Sequence, residues 1–264
     1  MKAAVFYFTG TGNNLRIAKG LQENLQNTDI FPFHCLKKMK QIDEKYTHII
    51  FSVPTYYSHI PPFVKECMRG LTFTPEQKVI TIAGCGGNRG MTVEDMRVCV
   101  NACGKEVLGE YMVMMPGNYI IGYDAFPQFY QKMVSALAEK KIKKIAKAIK
   151  KDRLSVLKKP GMFYKKKSEP DMQETIASFS DIGKNYTVSD ACVGCGICEK
   201  VCPAGNIRVE NKKPVFGENC QQCVACVQWC PKQAIDYENK AKDRTRYHHR
   251  AITVNDIITG NKND

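Results

Sequence analysis

Five short apolar runs rich in β-forming residues, at positions 2–8, 29–33, 48–53, 78–83 and 107–115, punctuate the first half of the chain, with helical or polar stretches between them. After the first run, Leu15, Ala18, Leu21 and Leu25 return on one face of a helix. This βα alternation predicts a parallel sheet covered on both faces. Residues 126–153 then read as an amphipathic helix, with Tyr130, Val134, Leu137, Ile142, Ile145 and Ile149 near its apolar stripe and lysines elsewhere. That helix is expected to close the sheet domain. The periodicity stops at residue 154, and Lys-Pro-Gly, three consecutive lysines and Glu-Pro-Asp mark a connector up to residue 186, with a short helix over 172–179. The expected divisions are 1–153 for a doubly wound α/β domain with a five-stranded parallel sheet, 154–186 for a basic connector, 187–238 for a small α+β domain, and 239–264 for a basic tail.

Ligands on parallel sheets collect at the carboxyl ends of the strands, beside the topological switch point. Four loops leave those ends: Thr9-Gly10-Thr11-Gly12-Asn13-Asn14, Pro54-Thr55-Tyr56-Tyr57-Ser58, Gly84-Cys85-Gly86-Gly87-Asn88 and Pro116-Gly117-Asn118-Tyr119. The first has the make-up of a phosphate cradle, because glycines let the backbone approach an anion and the following helix presents free N–H groups and a positive dipole end. It is not a P-loop, lacking the Lys-Ser/Thr ending, nor a GxGxxG fingerprint, since Leu15 stands at the third glycine. A tight structural turn is the competing reading. A phosphate loop together with aromatic residues and glycines suits a flat ring on a phosphorylated tail, which describes FMN.

The last hundred residues carry different chemistry. Cys192, Cys195, Cys198 and Cys202 are followed by Pro203, and each cysteine returns 28 residues later as Cys220, Cys223, Cys226 and Cys230, followed by Pro231. This is the two-cluster iron-sulfur spacing, in which three cysteines of a run hold one 4Fe-4S cluster and the fourth crosses to the other. Ile207 recurs as Ile235, Val188 as Phe216 and Val209 as Tyr237, so the half-module is duplicated. Zinc sites usually pair two CxxC units across a longer gap, which makes zinc the weaker reading. A disulfide framework is weaker still, since residues 1–8 do not resemble a signal peptide. The expected setting is the cytoplasm of an oxygen-poor cell.

Of the other cysteines, Cys35, Cys67, Cys99 and Cys103 suit buried packing, and Cys85 lies in a loop expected to touch the ring. Trp229 reads as a shield for a cluster, and His248 and His249, in the basic tail, as solvated.

The formal net charge is +13. Residues 140–167 hold 13 Lys/Arg and one acid, whereas residues 168–239 hold six and ten, so basicity is a local patch. Such a patch suits an acidic partner or is simply a solvated helix face. Nucleic acid is not expected, because no recognition motif or aromatic interleaving accompanies the lysines. No apolar stretch is long enough for a membrane span.

On Thr9-Gly10-Thr11-Gly12-Asn13, Pro54-Thr55-Tyr56 and the two cysteine runs, the chain resembles the fused flavodoxin-ferredoxin electron-transfer proteins of anaerobes. The resemblance implies a flavodoxin-like domain with FMN phosphate held by Thr9, Thr11, Gly12, Asn13 and Asn14. The isoalloxazine would lie beside Tyr56 or Tyr57 and the stretch from Gly84 to Gly87, with Asn14 replacing the hydroxyl residue common in flavodoxins. It also implies a two-cluster ferredoxin domain exchanging electrons with partners such as an acidic ferredoxin, a flavodoxin or a downstream reductase. An FMN-dependent reductase of an organic substrate is the alternative, and a pocket near Tyr119, Tyr123 and Phe126 would favour it.

Overall fold

The computed structural model describes residues 1–158 and 179–262. Strands β1 (Ala3–Tyr7), β2 (Thr28–Pro32), β3 (His48–Pro54), β4 (Lys78–Cys85) and β5 (Val107–Met114) form one sheet in the order β2-β1-β3-β4-β5, with every pairing parallel. That order is the flavodoxin-like doubly wound arrangement, whose switch point lies between β1 and β3. Strand alternation sorts β1 between two cores. Ala3, Val5 and Tyr7 face helices α1 (Asn13–Asn24) and α4 (Gln128–Lys150), where Leu15, Leu21, Ile142 and Ile145 meet them. Ala4, Phe6 and Phe8 face α2 (Pro62–Met68) and α3 (Thr92–Ala102), beside Phe63, Val64, Met96 and Val100. The five expected strands are all present, with ends shifted by a residue or two.

Helix α4 departs from expectation at Leu137, which is 48% exposed, while Ala138 is buried in its place. The inward stripe runs Val134, Ala138, Ile142, Ile145, Ile149. Leu137 instead follows Phe129 and Met133 at four-residue spacing on the outer face. Among the described residues no helix is long and apolar enough to cross a membrane. The expected helix over 172–179 and most of the connector fall outside the described residues.

The cysteine-rich segment folds around two short antiparallel ladders, β6 (Tyr186–Val188) with β9 (Ile235–Tyr237) and β7 (Ile207–Glu210) with β8 (Lys213–Phe216). Val188 pairs with Ile235 and Ile207 with Phe216. Moving the first pair along by the 28-residue repeat yields the second pair with its halves exchanged, so the sequence duplication is a pseudo-twofold in the fold.

The tail contradicts its composition. Its helix, Val254–Asn261, starts with a capping box in which Thr253 and Asp256 satisfy each other's backbone N–H groups. Ile257 is buried in the core it shares with α1, Lys19 pairs with Asp256 at 2.5 Å, and Asn261 Nδ2 donates to the Lys200 carbonyl at 3.1 Å. Neither histidine is solvated as expected. His248 stacks on Trp229 with ring centroids 3.8 Å apart. His249 is buried, its N–H donates to the Thr11 carbonyl at 3.0 Å, and burial followed by the charge of Arg16 holds its pKa down to about 4. The basic residues of this stretch are interleaved with Tyr247, Ile252, Ile257 and Ile258, and these apolar side chains determine where it lies.

Ile257→Ala should therefore destabilise the protein by about 2–5 kcal/mol, measured by thermal or denaturant unfolding. Arg250→Ala, at an exposed position, should stay within about 0.5 kcal/mol of the parent. A solvated tail would leave both variants unchanged.

Candidate functional site

The cysteines assemble as two crossed sets. Cys192, Cys195 and Cys198 of the first run line one small cavity together with Cys230 of the second. Cys202 sits instead with the second run: burial and then the nearby Cys202 push the Cys223 thiol up, and the same two causes act on Cys220, which rises to about 11. Burial, with Cys195 and Cys230 adding to it, raises Cys198 to about 11. Backbone N–H groups are directed at the crossing sulfurs in matching fashion, Asn206 to Cys202 Sγ at 3.2 Å and Ala234 to Cys230 Sγ at 3.3 Å, at positions one repeat apart. No three His, Cys, Asp or Glu side chains among the described residues gather round a single point as a lone metal ion would require. A cubane is held at its corners, so its cysteines surround a volume. Clustered buried thiols resist ionisation, and the positive charge of bound iron stabilises the thiolate form they would otherwise avoid. The donor set fits 4Fe-4S clusters on both counts.

The loop between β1 and α1 lies under the cysteine-rich segment and the tail. Thr9, Thr11, Asn13 and Asn14 are all buried. A Cβ on Gly10 would stand 2.3 Å from the Cys223 carbonyl oxygen, and the Gly10 carbonyl accepts from Trp229 Nε1 at 2.9 Å. Trp229 is thus a tie to the sheet domain, packed into its core, rather than only a shield for a cluster. Gly12 has φ +95°, and a Cβ there would press on Ile252 at 3.0 Å. Both glycines therefore admit the chain's own segments. Thr9 Oγ1 accepts from the Gly12 N–H at 3.1 Å, and Thr11 Oγ1 from Asn118 Nδ2 at 2.5 Å. Asn13 bridges the Pro116 carbonyl and the Tyr247 hydroxyl, while Asn14 accepts from Ser52 Oγ and packs against Gly84. Neither threonine hydroxyl donates to a protein group among the described residues, which leaves two O–H donors beside the start of α1.

Three other loops meet the cysteine-rich segment around a cavity of about 290 Å³. Thr55, Tyr56 and Tyr57 come from the β3 end, Gly86 from β4, Gly117, Asn118, Tyr119 and Tyr123 from β5, and Gln222, Cys223 and Val224 from the second cysteine run. A Cβ on Gly86 would lie 3.4 Å from the Gly117 Cα, so these two glycines bring the β4 and β5 loops into close contact at one wall of the slot. The Tyr57 hydroxyl donates to Gln222 Oε1 and is hydrogen-bonded to Tyr119, whose ring stands edge-on 5.7 Å away.

Of the sequence candidates, Thr55, Tyr56, Tyr57, Gly86 and Tyr119 reach this cavity. Pro54, Gly84 and Cys85 are buried at strand ends, and Gly87 and Asn88 are exposed outside the lining. Burial raises the Cys85 thiol and its carbonyl accepts the Met115 N–H, which makes it a packing residue. Burial likewise raises Cys67 to about 12 and Cys99 to about 11. Sequence reasoning missed Gln222 and Val224 as cavity residues. The signal was in the repeat, where the first run has Gly194 and Gly196 at the same places.

Residues 191–235 match the family model of the 4Fe-4S dicluster domain. The chain fuses a flavodoxin-like sheet to a 4Fe-4S dicluster domain. Among solved structures it is similar to an azoreductase from Bacillus anthracis str. Sterne (TM-score 0.39, 9% identity, 55% of this chain and 99% of that one). It is also similar to an FMN-dependent NADH-azoreductase from Bacillus anthracis str. Ames Ancestor in complex with FMN (TM-score 0.39, 11%, 56% and 99%), and to a flavodoxin from the domain Archaea (TM-score 0.34, 14%, 56% and 99%). These likenesses are distant, and the assignment of the sheet rests on its own strand order. No curated protein matches the sequence.

Two substitutions test this architecture. Cys202→Ala should remove the EPR signal of the set holding Cys220, Cys223 and Cys226 and roughly half of the iron, sparing the set around Cys192. Gly10→Ala places a Cβ against the Cys223 backbone and should lower both thermal stability and inner-cluster occupancy, read as melting temperature and iron content.

Proposed function

We propose that the protein is an electron-transfer iron-sulfur flavoprotein, which moves electrons between redox partners through two 4Fe-4S clusters and FMN. The observation that carries this reading is the position of Cys223: one residue belongs both to the buried cysteine set and to the wall of the cavity at the flavodoxin-like end. Tunnelling falls steeply with distance, so a centre held by Cys202, Cys220, Cys223 and Cys226 is the one suited to exchange electrons with a ring in that slot. The outer set is suited to meet partners, since Cys195 is exposed and its neighbour Val193 is 59% exposed. When bound, FMN supplies a centre that holds one or two electrons and so links one-electron and two-electron partners. The chain's part is to bind and shield it. Gly86 and Gly117 put no side chain into the slot, the tyrosines wall it, and the Thr9 and Thr11 hydroxyls with the N-terminus of α1 would offer donors to a phosphate.

A larger cavity of about 520 Å³ shares Tyr57, Tyr119 and Gln222 with the slot and opens beside Tyr237, Lys184 and Lys240. That vestibule favours the second reading, a reductase whose organic substrate would approach the ring from outside. Lys140, Lys141, Lys143, Lys144, Lys147 and Lys150 are exposed on α4 and suit an acidic redox partner; Lys165, Lys166 and Lys167 lie outside the described residues.

Anaerobically prepared protein should contain roughly eight iron and eight sulfide per chain and one noncovalent FMN, by metal and sulfide analysis and by flavin released on denaturation. Stoichiometric zinc without sulfide would sink the cluster assignment, and absence of flavin uptake would sink FMN. Replacing Lys143, Lys144, Lys147, Lys150 and Lys151 by Gln should slow reduction by an acidic carrier protein at low salt and flatten the salt dependence, measured by stopped flow. Unchanged rates across the salt series would return these lysines to a solvated face.

A further inference from the structure

The internal repeat supplies its own control. Both cysteine runs turn through left-handed backbone at the second residue after the first cysteine and at the residue after the second cysteine. In the first run these are Gly194 and Gly196, with φ +68° and +74°. In the second they are Gln222 and Val224, with φ +45° and +55°. Glycine adopts this conformation freely, whereas a β-branched residue such as valine is strained there. The second run therefore keeps two side chains where the same turn is served by glycine 28 residues earlier. Strain of this kind concentrates at ligand clamps.

Both side chains line the slot of about 290 Å³. The partner across the slot is strained as well: Tyr57 has φ +48° and Ser58 φ +68°. Gln222 uses Oε1 to accept from the Tyr57 hydroxyl and, at 3.5 Å, from Tyr119, while its Nε2 has no partner among the described residues. Strained backbone on two different segments thus converges on one hydrogen-bonded cluster between the slot and the vestibule.

We infer that Gln222, with the hydroxyls of Tyr57 and Tyr119, is a specificity-determining clasp that hydrogen-bonds the polar edge of a planar heteroaromatic ring, Val224 packing beside it. This rests on the reading of the slot as a flavin site. Oε1 is already engaged by the two tyrosine hydroxyls, which fixes the carboxamide with Nε2 as its free donor, and that donor matches a carbonyl on the ring edge. The first run keeps its glycines, and both line the cavity enclosed by its own cysteines and Cys230.

The test compares the parent with Gln222→Gly, which gives the second run the glycine of the first, and with Gln222→Glu, which keeps an acceptor for Tyr57 and the strained backbone but loses the N–H donor. FMN affinity is measured by fluorescence quenching, alongside iron and sulfide content and the flavin midpoint potential. The clasp predicts FMN binding at least tenfold weaker in both variants, a shifted flavin potential, and retained iron and sulfide. If Gln222 merely ties the two halves of the molecule together, Gln222→Gly will alter melting temperature and cluster content while FMN affinity and potential stay at the parent values, and the clasp is overturned. Parent-like affinity in Gln222→Glu overturns the donor role even if Gln222→Gly folds poorly. A parent chain that takes up no FMN overturns the flavin reading itself, and the clasp with it.

Discussion

The backbone of Cys223 lies against Gly10 at a distance that only a residue without a Cβ allows. Nearly everything specific to this protein follows from that approach. It brings the inner cysteine set to the carboxyl end of the sheet, places Gln222 and Val224 over the slot between the β3, β4 and β5 loops, and lets Trp229 reach the Gly10 carbonyl. A side chain at residue 10 would push the cysteine-rich segment outward and open the slot. The glycine-rich turn is thus a docking surface for the second domain as well as the start of α1.

Contacts on every side hold this junction. Gln228 donates to the Asn118 carbonyl and accepts from the Tyr247 N–H, so one buried side chain ties the β5 loop, the cysteine-rich segment and the tail. Ile252 and Ile257 join the α1 and α4 core from the far end of the sequence. Apolar burial of this kind is non-directional and would permit sliding; the buried hydrogen bonds of Trp229, Gln228, Asn13 and Tyr247 specify one alignment. Under the proposed function such a junction would hold a centre at Cys223 and a ring in the slot at a fixed separation.

The duplicated cysteine module is symmetric in its ladders and in its N–H···S bonds, yet its two halves meet different surroundings. One set faces solvent at Cys195, and the other is pressed against the sheet domain. The two sets differ by this placement and not by any difference in cysteine spacing. The departures from symmetry that the sequence does carry, Gln222 for Gly194 and Val224 for Gly196, fall on the side that touches the slot.

Local chemistry by itself determined the five strands, α1 and α4, and the crossed spacing of the cysteines, because each depends on periodicity or spacing over a few residues; that Thr55, Tyr56, Tyr57, Gly86 and Tyr119 share one cavity follows from their places at strand ends. The runs themselves imply a parallel sheet but no strand order; the flavodoxin-like arrangement was implied by the resemblance, and the order β2-β1-β3-β4-β5 is read from the structure. Only the tertiary structure decided that Gly10 and Gly12 serve close packing, that Cys85 is walled off while Gln222 lines the slot, that the basic tail packs against the sheet domain through a few buried side chains, and that Leu137 faces outward. These depend on contacts between elements distant in sequence, where averaged composition misleads: four apolar side chains among the charges of the tail outweigh its net charge, since most of its charged groups stay at the surface while burial of Tyr247, Ile252 and Ile257 fixes the path of the chain.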